Sequence, residues 1–216
     1  MLRLLATTLL PLLLLPTTHA ALPTINTTSL LPWTIPHLGT HSPSGYPANH
    51  PYSTLSFTVS DPNTITLGST RFGDASFPAA SVNCTVAWLG YSGAGDNPRD
   101  GGWTTPCGGG TLDVGGVGGA QGRWTFRVVN GTTGGGLTTD FGVVVAREQA
   151  VVLGNGGVVR AKFEGTGLFR VGADANMAGQ CGGSGVCNWG LKGEAAPVVV
   201  TPRLVELKCV AGTCDV

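Results

Sequence analysis

The sequence predicts an all-β, single-domain body of about eight or nine short antiparallel strands, a sandwich or a barrel with long glycine-rich loops. Three observations predict it. Short apolar–polar alternations recur at near-regular spacing, and no window sustains the 3.6-residue period of a helix. Glycine accounts for 35 of the 216 residues without a G-x-y repeat, which supplies turns and excludes collagen. Charge is sparse and balanced, 12 Lys+Arg against 12 Asp+Glu at 11% of the chain, with 42% apolar residues. That balance excludes a disordered acidic or basic chain. It also leaves no electrostatic footprint for nucleic acid or anionic lipid.

Residues 1–20 read as a secretory signal peptide. Arg3 precedes a leucine-rich run, Pro11 and Pro16 interrupt it, and small Thr18 and Ala20 flank His19, with cleavage expected after Ala20. The run is too short for a membrane span, and the C-terminal residues lack the hydrophobic tail of a lipid-anchor signal. Residues 21–51 hold six prolines together with His37, His41 and His50, and read as a Pro-rich extended arm with room for one strand near Trp33. Residues 52–216 form the β domain. Leu55, Phe57 and Val59 alternate with Ser56, Thr58 and Ser60 until Asp61-Pro-Asn63 stops the strand. Val82, Cys84, Val86 and Trp88 repeat the pattern, as do Trp124, Phe126 and Val128, then Phe141, Val143 and Val145. A Gly-Asn-Gly-Gly turn at 154–157 leads into Val159, Ala161 and Phe163. Leu168, Val198 to Val200 and Leu204 to Leu207 supply the last short runs. The glycines between 89 and 136 mark the longest loops, and the stretch 174–193 reads as a loop held by a crosslink.

Export makes the cysteines and sequons legible. Six cysteines, Cys84, Cys107, Cys181, Cys187, Cys209 and Cys214, are expected to form disulfides in an oxidising compartment. Their spacing favours sequential pairs, each closing a short loop. Asn26-Thr-Thr, Asn83-Cys-Thr and Asn130-Gly-Thr are acceptor sequons for N-glycosylation. Asn83 falls on the outward phase of its alternating stretch.

No catalytic constellation emerges. Cys181-Gly-Gly-Ser184-Gly-Val186 lacks the second glycine of a nucleophile elbow. His37 and His41 have i, i+4 spacing, but Pro36 and Gly39 argue against a helix and no Glu lies between them. No C-x-x-C metal motif, phosphate-binding loop or cofactor fingerprint is present, so no metal and no cofactor are expected. Glu148, Glu164, Glu194 and Glu206 could supply a glycosidase acid pair only if the fold brings two carboxyls together. Trp103 and Trp189 stand in loops beside cysteines. They either cover the adjacent disulfide or serve as contacts for a glycan or a partner.

Several stretches carry a family likeness. They are Ser53-Thr-Leu-Ser-Phe-Thr-Val-Ser-Asp-Pro-Asn63, Val82-Asn-Cys-Thr-Val-Ala-Trp88, Trp103 with Cys107, Trp124-Thr-Phe126, and Gly182-Gly-Ser-Gly-Val-Cys-Asn-Trp-Gly-Leu-Lys192. Together they span most of residues 52–205. The pattern resembles the apoplastic cell-death-inducing effectors of filamentous fungi and, more distantly, is similar to the fungal major-allergen-like β-barrel family. The resemblance implies a compact β body with bridges Cys84–Cys107 and Cys181–Cys187. It implies host-facing roles: eliciting defence, binding a host protein or carrying a small ligand. The chain departs from the barrel family in its glycine loops, in Cys209 and Cys214, and in having no unpaired cysteine in the arm. The expectation is a secreted, non-enzymatic effector that binds a host extracellular protein or small molecule. A cell-wall or glycan-binding module ranks second and a carbohydrate-active enzyme third.

Overall fold

The structure is a computed structural model that describes residues 22–46, 50–70, 72–89, 97–99, 105–108 and 122–214. Trp103 and the segment 1–20 lie outside the described residues. The described residues form no α-helix. In chain order the strands are β1 (Trp33–Ser42), β2 (Tyr52–Asp61), β3 (Ile65–Thr70), β4 (Gly73–Phe77), β5 (Ala80–Leu89), β6 (Thr105–Pro106) and β7 (Arg123–Asn130). There follow β8 (Asp140–Val152), β9 (Val158–Arg170), β10 (Met177–Cys181), β11 (Cys187–Leu191), β12 (Val198–Val200) and β13 (Arg203–Ala211).

Two antiparallel sheets hold most of these strands. One runs β10-β11-β1-β2-β5, with β12 also pairing β1, and the other runs β13-β9-β8-β7-β6, while β3 and β4 make a separate ribbon. They pack as a sandwich and do not close into a barrel. The apolar phase of each strand explains the packing. Trp33, Ile35, Leu55, Phe57, Val59, Cys84, Val86 and Trp88 are buried on the first sheet, facing Trp124, Phe126, Phe141, Val143, Val145 and Val159 on the second. Trp33 meets Trp124 at 5.2 Å and Phe57 meets Phe126 edge-on at 5.0 Å, so the two layers interdigitate through aromatic contacts. Three disulfides are present: Cys84–Cys107, Cys181–Cys187 and Cys209–Cys214.

Three sequence expectations are corrected. The segment 21–51 is not an arm, because its β1 lies between β2 and β11 and is a central strand of the first sheet. Proline hid it. Pro36 falls within the register shift between Thr34 and His37, where a missing N–H costs no ladder bond. The strands also outnumber the eight or nine expected. The excess comes from β3, β4, β6, β10 and β11, which are short or glycine-bearing and show little alternation. The stretch 174–193 is the β10–β11 hairpin rather than a loop, with Cys181 directly opposite Cys187.

One polar cluster lies between the sheets. Asp61 ends β2 with its side chain inward, and Arg147 of β8 donates to its Oδ2 at 2.5 Å; both side chains are 3% exposed. Arg147 also donates to Pro78 O at 2.5 Å and to Gln149 Oε1 at 3.0 Å, and lies 5.2 Å from the Trp124 ring centre. Asp61 Oδ1 accepts from the backbone and side chain of Asn63 at 2.9 and 2.7 Å. Asn63 in turn exchanges two 2.8 Å bonds with the backbone of Leu31. The cluster therefore ties the entry to β1, the end of β2 and the start of β5 to the opposite sheet. Burial lowers the pKa of the Arg147 guanidinium and the Asp61 charge opposes that shift.

A second polar node fixes the β7–β8 connection. The Asp140 carboxylate accepts from Thr133 Oγ1 at 2.6 Å and from the backbone N–H groups of Thr132, Thr133 and Gly135 at 3.0, 2.7 and 3.1 Å. The Thr133 hydroxyl, then the backbone donors, hold its pKa well below the usual carboxylate range against the opposing effect of burial. Glycine is required at 131, since a Cβ there would lie 1.9 Å from Asp140 Oδ1.

Arg147→Met, which strands Asp61 unpaired, is expected to cost about 3–5 kcal/mol in denaturant unfolding, and adding Asp61→Asn should recover part of it. For Asp140 the folded pKa lies below the unfolded one. Its stabilisation is therefore complete above the unfolded value of about 4 and is lost as pH falls toward the folded one. Asp140→Asn should lower the melting temperature most at neutral pH, with the gap to the wild type narrowing below about pH 4.

Candidate functional site

The six strands of the first sheet contain no Lys, Arg or Glu, and their one Asp is Asp61, turned into the core. The outer face of that sheet is therefore free of permanent charge. The second sheet carries Arg123, Arg127, Glu148, Arg160, Lys162, Glu164, Arg170, Arg203, Glu206 and Lys208. Several of these pair along its outer face, Arg160 with Glu148 at 3.3 Å and Lys162 with Glu164 at 2.8 Å.

Strand register arranges the uncharged face in rows. Ala178, Gly190, Gly39, Ser56 and Thr85 lie side by side across β10, β11, β1, β2 and β5. All five are small. On one side the next row is His37, Thr58 and Asn83; on the other it is Gln180, Asn188, His41, Thr54 and Ala87. A bed of small residues between rows that carry His37 and Asn83 on one side and Gln180, Asn188 and His41 on the other makes a trough that runs across the strands. Five strands at a spacing of about 4.8 Å give it a length of roughly 19 Å, and its flanking rows stand about 13–14 Å apart. Part of it forms a groove of ≈ 440 Å³ walled by His37, Thr58 and Asn83 over Gly39, Gly190 and Ser56.

The paired glycines are the informative residues. A Cβ on Gly39 would meet nothing nearer than Trp189 O at 3.7 Å, and one on Gly190 nothing nearer than Leu38 O at 3.7 Å, both ordinary contacts. Neither packing nor backbone conformation demands glycine at these positions. A glycine inside a strand costs about 0.5–1 kcal/mol relative to alanine. An unforced glycine in a strand often marks a place where a ligand approaches the backbone closely.

The flanking side chains are donors and acceptors at once. His41 Nδ1 lies 2.9 Å from Asn188 Oδ1, Thr58 Oγ1 donates to Asn83 Oδ1 at 2.7 Å, and Ser60 Oγ donates to Ser81 Oγ at 2.8 Å. At one corner the exposed Tyr52 ring lies 5.2 Å from the His50 ring. All three histidines of the segment 21–51 thus belong to this face. His37 and His41 stand in different rows, and among the described residues no three His, Cys, Asp or Glu side chains converge as a metal site would require.

The structure does not place Trp189 in the trough. Trp189 lies opposite Thr40, the inward phase of β1, and is partly buried against the core. Asn26 and Asn130 are exposed but lie away from the trough, in the turn before β1 and at the end of β7. Asn83 alone of the three sequon residues stands in it. Glu148, Glu164 and Glu206 are engaged with cations on the other sheet. Lys208 holds the pKa of Glu206 down, the reverse of what a general acid needs. The residues that sequence reasoning passed over are Gly190, Ser56 and Thr58, while His37 was weighed only as a metal ligand and Gly39 only as a helix breaker. The absence of charge from residues 33–60 and 80–89 was a visible signal; the pairing of 39 with 190 was not.

Comparison of the chain with protein-family models, with curated proteins and with solved structures finds no match. The class is thus defined by fold and face: a three-disulfide all-β sandwich, compatible with an extracellular protein, with one charged sheet and one uncharged polar sheet.

Gly39→Val and Gly190→Val should leave unfolding stability unchanged or raise it by about 0.5–1 kcal/mol. Equilibrium denaturation checks this, and a loss above that size would mean that the glycines are structural.

Proposed function

We propose that this is a secreted, non-enzymatic binding protein that takes a neutral, hydroxyl-rich ligand, a glycan chain, in the trough of its uncharged sheet. The observation that carries this reading is the unforced Gly39–Gly190 pair at the centre of a charge-free, hydrogen-bonding face. A glycan presents hydroxyls that donate and accept, and Ser, Thr, Asn and Gln side chains answer in both senses. An ionic ligand would find no opposite permanent charge along the bed. A rigid strand surface positions its contacts without ordering loops, which limits the entropy lost on binding. The exposed Tyr52 ring adds an apolar surface at the corner. The resemblance to apoplastic effectors supplies the setting, action outside the cell toward a host. Binding of a host protein remains the alternative occupant of the same face.

Pull-down of the purified protein on chitin, β-glucan and cellulose should show retention on at least one polymer. Retention should vary little between low and high salt, because no ion pair contributes. Gly39→Val and Gly190→Val should weaken retention by about tenfold or more while remaining folded. No retention on any polymer, or equal retention of the valine variants, overturns the reading. Infiltration into leaves tests the effector setting, where cell death or a defence marker that Gly39→Val abolishes would tie the response to the trough.

A further inference from the structure

Asn83 stands on the wall of the trough and heads an acceptor sequon whose Thr85 lies in the bed. The two are two residues apart on one strand, so both face outward, while Cys84 between them is fully buried and bridged to Cys107. Thr58 Oγ1 donates to Asn83 Oδ1 at 2.7 Å, and no hydrogen bond among the described residues engages Asn83 Nδ2. From Asn83 the bed runs inward across β2, β1 and β11 without a charged or bulky side chain in its row.

We infer that an N-glycan on Asn83 lies in the trough and closes it, so that modified chains carry their own sugar where unmodified chains carry ligand. In the modification, Asn83 Nδ2 bonds to the anomeric carbon of a diphosphate-linked oligosaccharide. The anomeric C–O bond to the diphosphate breaks, and one amide proton is lost to a base. The occupant follows from chemistry and tether. The face that fits a neutral glycan has a glycan acceptor built into its wall, and attachment raises the local concentration of that sugar far above that of a free one. Asn26, which caps the turn before β1, and Asn130, at the end of β7, are exposed away from this face, so sugar at either leaves the trough open. The competition with ligand rests on the proposed function; the lodging of the sugar rests on the uncharged face and the tether, whether or not a free glycan binds.

The test uses the full chain secreted from a host that installs N-glycans, carrying Asn26→Gln and Asn130→Gln so that Asn83 is the one sequon left. Lectin chromatography separates occupied from unoccupied chains, and peptide mass spectrometry verifies the site. Diethyl pyrocarbonate labelling of His37 then reports on the trough without any ligand. The occupied form should label about tenfold more slowly, a difference of about 1.4 kcal/mol in access. Its retention on the polymer bound by the unoccupied form should fall by a similar factor. Trimming the glycan to its first sugar with an endoglycosidase should restore both. Absence of an occupied form, or equal labelling of His37 in the two forms, overturns the inference. Slow labelling of His37 in the occupied form with no polymer bound by either form would sink the proposed function and leave the lodged glycan standing.

Discussion

Asp61 is the one permanent charge in the strands of the first sheet, and its burial against Arg147 governs both faces of that sheet. A carboxylate between two layers is tolerated only when paired and fully hydrogen-bonded. Here it meets a guanidinium on one oxygen and the backbone and amide of Asn63 on the other. The guanidinium's Nη2 donates to Pro78 and Gln149, and the group lies against the Trp124 ring. The pair thus joins β2 to β8 across the core and anchors the entry to β1 through Leu31. It also removes the last ion from the side of the sheet that faces solvent.

That removal matters because the other sheet already supplies the charge the molecule needs. Ion pairs such as Arg160–Glu148 and Lys162–Glu164 are surface pairs and contribute little to stability. Their charges keep that face hydrated. With charge confined to that sheet, the first sheet presents a surface of Ser, Thr, Asn, Gln, His, Ala and Gly. Such a surface is wet but un-ionised, and its partners must match it by hydrogen bonds and shape.

The amino-acid order revealed the half-buried strands because burial on one side imposes a period of two. Val82 to Trp88, Trp124 to Val128 and Val159 to Phe163 were legible for that reason. Of the central β1 only the start near Trp33 was, since Pro36 and Gly39 interrupt its pattern and its partners Ser56 and Gly190 come from distant parts of the chain. From its place beside Cys187, Trp189 reads either as cover for the disulfide or as a contact. In the sheet it shares the inward side of Thr40, a phase that only register can assign. The trough suffers the same difficulty in full. Each of its small residues is unremarkable in sequence, and they become a row only when five strands pair in one register.

Gly39 and Gly190 make the strongest case that this row is more than an accident of small residues. Two facing strand positions normally gain about 0.2–1 kcal/mol from a cross-strand side-chain pair. Filling them would also recover the conformational cost of two glycines. A Cβ on either would make only an ordinary contact and neither backbone is left-handed, so local energetics do not call for glycine. A position that departs from the locally stable choice without a packing reason is where function is expected to lie. Function here means access. A sugar ring can approach bare backbone more closely than it could a sheet paved with valine, and the hydroxyls of Ser56, Thr58 and Thr85 then lie within its reach. The glycan inferred at Asn83 would gain the same access without needing to find the site from solution.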